Sequence, residues 1–247
     1  MADFLSDNEK KRYLRQIMIA SWDESVQMKL KKAHVFVAGA GGLGSPSIYY
    51  LAAAGVGRIT ICDNDRVELS NLNRQILHRT GGIGILKVES AGDAVMALND
   101  TISVSLVPQR IEAPEMKKII ESADIILDCL DSFKARSVLN RMCIETKKPL
   151  VHAGITEMHG QATFIHAPET PCLNCFLPDT DGKEQAPVLG ATAGILGSIQ
   201  AMEAVKYITG FGDTLKNRLL FFDGKSMSFS TVKLSRNPHC TACSAVQ

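Results

Sequence analysis

From about Ala33 onward, short apolar runs alternate with longer segments in which apolar residues recur every three or four positions. AHVFVAG ends in glycine, residues 45–54 read as a helix stopped by Gly55, and RITICD follows as a second apolar run, so the three predict a βαβ unit. The pattern continues with a strand at 102–107, a helix at 114–123, IILDC as a strand at 125–129, a helix at 133–146 and PLVHA as a strand at 149–153. Runs that are apolar throughout belong to strands covered on both faces. The expected fold class is therefore α/β: a Rossmann-like, mostly parallel sheet with helices on both sides. Further on, GQATFIHA at 160–167 alternates as an antiparallel strand does, RLLFFD and STVKLS resemble two more, and a helix is expected over 191–209. The second half thus extends the same sheet with antiparallel strands. Before the first strand, Ser6 and Glu9 form a capping-box pattern that opens a helix through about Ala20, read as a separate N-terminal helical arm. DTDGKEQAP at 179–187 has no period and reads as a surface loop.

Composition narrows the class. With 45% apolar residues and 19 glycines in 247 positions, the chain is an ordinary globular one, which excludes fibrous and disordered classes. Its 27 Lys and Arg against 26 Asp and Glu leave a net charge of +1 with no basic block, so nucleic acid is not the expected partner. No apolar stretch approaches the ~20 residues of a spanning helix, and MADFLSDNEKKRYLRQ is too polar for a signal peptide. A cytoplasmic protein is expected. Seven cysteines in such a chain argue against a disulfide framework. Four of them form two CxxC pairs, Cys172/Cys175 and Cys240/Cys243, the spacing of a closed tetrahedral Zn2+ site. Four thiolates leave no open position, so the expected role is structural, and His239 is not needed as a ligand. Redox dithiols are the rival reading. Cys62, Cys129 and Cys143 fall in predicted core positions.

Gly39-Ala-Gly41-Gly42-Leu-Gly44 lies between a predicted strand and helix, where absent side chains let backbone N–H groups and a helix N-terminus approach phosphate oxygens. Asp63 ends the next strand, where a carboxylate can accept from both ribose hydroxyls. An NAD-dependent oxidoreductase would show the same two features. The following segments separate the readings: Asp63-Asn-Asp65, Ser70-Asn71-Leu-Asn-Arg74-Gln75, Lys87, and Asp128-Cys-Leu-Asp131-Ser132. Arg74 and Lys87 are two cations downstream of a phosphate turn, which suits a triphosphate better than a dinucleotide. Asp131, just past a strand end, can hold Mg2+ against phosphate oxygens or cap the next helix.

These residues, together with RYLRQ at 12–16, GAGGLGS at 39–45, KVES at 87–90, CLNC and CTAC, resemble the ThiF/MoeB/HesA family of bacterial relatives of ubiquitin-activating enzymes. Within it, they are most similar to the molybdopterin-synthase adenylyltransferases. The resemblance implies one adenylating domain over 1–247, with an arm at 1–30, a nucleotide-binding half at 31–155 and a carrier-binding, zinc-bearing half at 156–247. It implies that MgATP adenylates the C-terminal carboxylate of a small ubiquitin-like sulfur-carrier protein ending in Gly-Gly, releasing pyrophosphate, in molybdenum-cofactor or thiamine biosynthesis. Gly42 then lies against the phosphates, Asp63 binds ribose, Asn71, Arg74 and Lys87 hold the triphosphate, and Asp131 holds Mg2+. Gly39, Gly41, Gly44, Asp65, Ser70, Gln75 and Ser132 complete the implied nucleotide set. Arg15 matches an arginine that reaches the other subunit's nucleotide, which implies a homodimer.

Two positions depart from the family pattern. Ser132 stands where Asn is usual after the metal-binding Asp, and Lys183 stands where many members carry a loop cysteine, which implies that the reaction stops at the acyl-adenylate. A tRNA threonylcarbamoyladenosine dehydratase is a second enzyme reading, disfavoured by the near-neutral charge and the paired CxxC motifs. A silent nucleotide-binding scaffold is the reading from another class.

Overall fold

A computed structural model describes residues 4–177 and 187–244. One eight-stranded sheet runs through the molecule. Its strands are β1 (His34–Ala38), β2 (Arg58–Cys62), β3 (Ser103–Val107), β4 (Ile125–Asp128), β5 (Leu150–Thr156), β6 (His159–Ile165), β7 (Arg218–Asp223) and β8 (Ser228–Lys233). Their spatial order is β3-β2-β1-β4-β5-β6-β7-β8. The first five strands run parallel, and β6, β7 and β8 continue antiparallel. The α/β class and the antiparallel extension expected from the apolar runs are both present.

The apolar strands face two cores. Val35, Val37, Ile59, Ile61, Ile125, Leu127 and Val151 point to one side, where they meet α4 (Gly44–Ala54), α5 (Lys87–Leu98) and α8 (Gly190–Thr209). Phe36, Ala38, Ile126 and Leu150 alternate to the other side, against α6 (Met116–Glu121) and α7 (Phe133–Thr146). Each fully buried Ile or Leu contributes roughly 1.5–3 kcal/mol. α4 ends at Gly55, whose φ of 86° is the left-handed cap expected there.

The N-terminal segment differs from the expected separate arm. It breaks into α1 (Asp7–Arg12), α2 (Leu14–Ile17) and α3 (Glu24–Lys32), and it docks on its own chain. The Ser6/Glu9 capping box is present, but the helix ends at Tyr13 because that side chain turns inward. The Tyr13 hydroxyl accepts from Asn99 Nδ2 at 2.9 Å and lies 3.3 Å from Thr101 Oγ1. Gln16 and Gln27 both donate to the Ala54 carbonyl, at 3.1 and 2.8 Å. α3 and α5 were not anticipated, although Asp23 caps α3 by accepting from Ser25 and Val26, and Val88, Ala91, Ala94 and Val95 carry the helical period of α5. The loop expected at 179–187 lies, apart from Pro187, outside the described residues, as does Lys183.

Asn99 is fully buried and also donates to the Ala52 carbonyl at 2.7 Å, tying the docked segment to the end of α4. Asn99→Ala leaves that carbonyl and the Tyr13 hydroxyl short of a donor. It is expected to lower unfolding free energy by about 1–3 kcal/mol, read as a lower urea midpoint with an unchanged m-value.

Candidate nucleotide site and cysteine cluster

A cavity of about 1130 Å³ opens at the carboxyl ends of the parallel strands. It lies where β1 is flanked by β2 on one side and β4 on the other, the reversal point at which open α/β sheets bind ligands. Two glycines of the turn after β1 are there for the backbone. Gly39 has a φ of 101°, and a Cβ on it would stand 2.6 Å from the Cys129 carbonyl oxygen, while one on Gly44 would run into the carbonyl of Gly39. Gly39, Gly41 and Gly42 line the cavity, and at Gly41 and Gly42 nothing is nearer than 3.4 Å to where a Cβ would sit. Gly44 lies beneath the turn and is not part of the lining. His78, absent from the expected set, steadies the turn: its Nε2 is 2.9 Å from the Ala40 carbonyl and its Nδ1 is 3.0 Å from Ser90 Oγ.

Asp63 follows β2 and accepts from Ala40 N and Asp65 N, both at 2.8 Å, which fixes its carboxylate beside the glycine turn. Burial pushes its pKa up, and the Lys87 charge acts against that shift. Lys87 opens α5, is buried, and pairs with Asp65 at 2.9 Å. Asn71 is buried with Oδ1 accepting from Glu68 N at 3.1 Å, and Ser70 is exposed with its hydroxyl on Glu68. Arg74 donates to the Ser70 carbonyl at 3.0 Å and to Asn73 Oδ1 at 2.9 Å. Gln75 is buried next to Gly41, and its Oε1 has no partner among the described residues. Asp63, Asp65, Ser70, Asn71, Arg74, Gln75, Lys87, Asp131 and Ser132 all line the one cavity.

The helix cap after β4 falls to Ser132, whose hydroxyl accepts from Ala135 N at 3.2 Å. Asp131 is left exposed, and no hydrogen bond or ion pair holds it among the described residues. Arg15 is exposed on α2 and is absent from the lining of its own chain's cavity. Sequence reasoning named Asp128 in its motif but gave it no role, and it missed the partners that Asp128 meets under the floor. Asp128 is fully buried, accepts from His152 Nδ1 at 2.7 Å and from Leu130 N at 3.1 Å, and lies 3.7 Å from Arg136 Nε. Burial pushes the His152 pKa down, so the neutral ring donates Nδ1–H to the carboxylate. A carboxylate at the end of the otherwise apolar IILD strand was the available signal.

The four paired cysteines meet on the opposite core, with their sulfurs all within 4.8 Å of one another. Three of the separations are 3.6, 3.6 and 3.9 Å. A tetrahedral Zn2+ with Zn–S of ~2.3 Å needs sulfurs about 3.8 Å apart, so the cluster could hold zinc. The Cys240 thiol is pulled down to about 7 by neighbouring backbone N–H groups and the other cysteines, against the effect of burial.

Strand order and glycine turn define an open α/β fold with its ligand cavity at the strand reversal. Residues 13–242 match the ThiF family, and the chain belongs to that family. It is similar to the "Adenylyltransferase and sulfurtransferase MOCS3" of Culex quinquefasciatus, 42% identical over 97% of this chain and 56% of that protein. The protein of the same name from Aedes aegypti is 40% identical over 97% of this chain and 56% of its own length. The chain therefore spans about half the length of these curated relatives. Among solved structures, the fold matches E. coli MccB with ATP at a TM-score of 0.84 and 24% identity, over 98% of this chain and 76% of that one. SeMet PaaA matches at a TM-score of 0.78 and 24% identity, over 95% and 76%. Among the described residues, no helix is long and apolar enough to cross a membrane.

Elemental analysis is expected to find about one zinc per chain. Cys240→Ser should lower both zinc content and melting temperature, and zinc-free protein that melts unchanged would remove the metal from the account.

Proposed function

We propose that this chain is an ATP-dependent adenylyltransferase acting on the C-terminal carboxylate of a small ubiquitin-like sulfur carrier ending in Gly-Gly, in molybdenum-cofactor or thiamine biosynthesis. The observation that carries it is the meeting, in one cavity, of an open glycine turn, the carboxylate of Asp63 at the end of β2, the cations Arg74 and Lys87, and an uncommitted carboxylate, Asp131. The names of the sequence relatives support the same reading. A nucleotide placed here has its phosphates over Gly41 and Gly42, within reach of Arg74 and of Lys87 once that amine leaves Asp65. Asn71 and Gln75 supply polar contacts beside them, and Asp131 would hold Mg2+, which would neutralise phosphate charge.

The carrier's carboxylate is already ionised. One of its oxygens attacks the α-phosphorus, the bond to the pyrophosphate oxygen breaks, and pyrophosphate leaves with the electron pair, so no proton need move. The protein's task is alignment and charge neutralisation. Ser132 spends its hydroxyl on the helix cap, so the contact that an Asn would make there is not reproduced. Arg15, exposed and absent from the lining of its own chain's cavity, acts on the nucleotide of the other subunit in a homodimer. The reading places the enzyme in the cytoplasm, where the thiols of the cysteine cluster stay reduced.

ATP/pyrophosphate exchange is expected only with a Gly-Gly-ending carrier, and calorimetry should detect binding of MgATP and not of NAD; absence of exchange with every such carrier would overturn the assignment. Asp131→Ala should lower exchange by about 10²–10³-fold with an unchanged melting temperature. Arg15→Ala mixed with Asp131→Ala should regain activity, because one of the two composite sites in each heterodimer is intact. Demonstrated heterodimers without recovered activity would rule out the trans arginine.

A further inference from the structure

Arg136 closes the first turn of α7, buried to 8% exposure, and its guanidinium is held through Nη2. Nη2 donates to the Leu130 carbonyl at 2.6 Å and to the Ala153 carbonyl at 3.3 Å, and Nε faces Asp128 Oδ2 at 3.7 Å. Asp128 is itself oriented by His152 Nδ1 and Leu130 N. Nη1 is the remaining edge, and it makes no hydrogen bond among the described residues.

That edge faces a niche made by a missing side chain. Gly154 of β5 lines the cavity, and the point where its Cβ would stand is 3.7 Å from Arg136 Nη1. The same point is 3.5 Å from Nε2 of Gln161, the residue paired with Gly154 across β5 and β6. Arg136, Gly154 and Gln161 all line the cavity, so the niche beside the bare Gly154 backbone is bordered by two side-chain donors, one permanently charged.

We propose that this niche receives one oxygen of the acceptor's carboxylate, with Arg136 and Gln161 as the binding residues that select an ionised C-terminus. The proposal rests on the adenylation reading and names the part of the cavity that the acceptor occupies. A carboxylate approaching a triphosphate is repelled, and a guanidinium fixed in a partly dewatered wall offsets that repulsion while orienting the attacking oxygen. The charge-assisted donor also gives a means of rejecting an uncharged chain end.

The test compares the carrier that supports pyrophosphate exchange with the same carrier ending in a carboxamide, both titrated onto the full chain loaded with the ATP analogue AMPCPP. The wild-type chain should bind the acid at least about tenfold more tightly than the amide. Arg136→Gln should shrink that ratio to below about threefold while AMPCPP affinity stays within about threefold of wild type. Because Arg136→Gln also leaves Asp128 without its cation, Gly154→Ala provides an independent check. Its added methyl meets its neighbours at ordinary contact distances of 3.5 Å and more, so the fold is kept while the niche is filled, and the acid preference should fall as well. An unchanged ratio in Gly154→Ala, with the wild-type chain active, overturns the niche alone. A wild-type chain that neither binds nor activates any carrier overturns the adenylation reading and the niche together.

Discussion

The backbone at Gly39 passes so near the end of β4 that no side chain fits between them, and the cavity is organised by that approach. Gly39 N donates to the Cys62 carbonyl at 2.8 Å and Cys129 N donates to the Ala38 carbonyl at 2.9 Å, so the ends of β2, β1 and β4 are locked at one level. Asp63 then emerges on one side of the glycine turn and Asp131 on the other. A methyl group at Gly39 would meet the Cys129 carbonyl oxygen at 2.6 Å in a backbone conformation that L residues rarely adopt, so it would separate the very strand ends that carry the two carboxylates. Ligand geometry here is a consequence of strand register.

Beneath that level the sheet carries charge where its neighbours are apolar. Asp128, His152, Arg136 and Gln200 form a buried polar group, with Gln200 of α8 donating to the carbonyls of Asp128 and Val151 at 2.8 and 3.1 Å. An apolar set of similar volume would stabilise the fold at least as well, since desolvating an ion pair often cancels its attraction. The arrangement makes sense as a positioning device: it joins α7, α8, β4 and β5 at the floor of the cavity, where a displacement of an ångström would matter to the chemistry.

Features that depend on local chemistry were legible in the sequence. The glycine turn, the carboxylate after β2 and the paired cysteines are recognised because each residue type does something no other can at that spacing. Helix α4 and the parallel strands follow from period alone. What escaped depends on tertiary partners. Tyr13 ends its helix because Asn99 and Thr101, far along the chain, receive its hydroxyl, and nothing local at 12–16 foretells that. Ser132 takes the cap that the sequence left equally open to Asp131. Arg136 reads as one more helix cation until Gly154 and Gln161 are brought opposite it by strand pairing.

The thiols locate the chemistry by where they are not available. All seven cysteines lie within the described residues, and four are committed to one cluster on the core opposite α4 and α8. Cys62 and Cys129 do reach the cavity wall, but burial pushes the Cys62 thiol up to about 12 and drives Cys129 in the same direction. Cys143, deep in α7, is raised as well. At neutral pH these groups are protonated and poorly nucleophilic, because the thiolate is the reactive form. The cavity therefore offers cations, backbone N–H groups and carboxylates, and no sulfur ready to attack. Such a set suits the proposed joining of a carboxylate to a phosphate, and among the described residues it supplies no thiolate to the cavity.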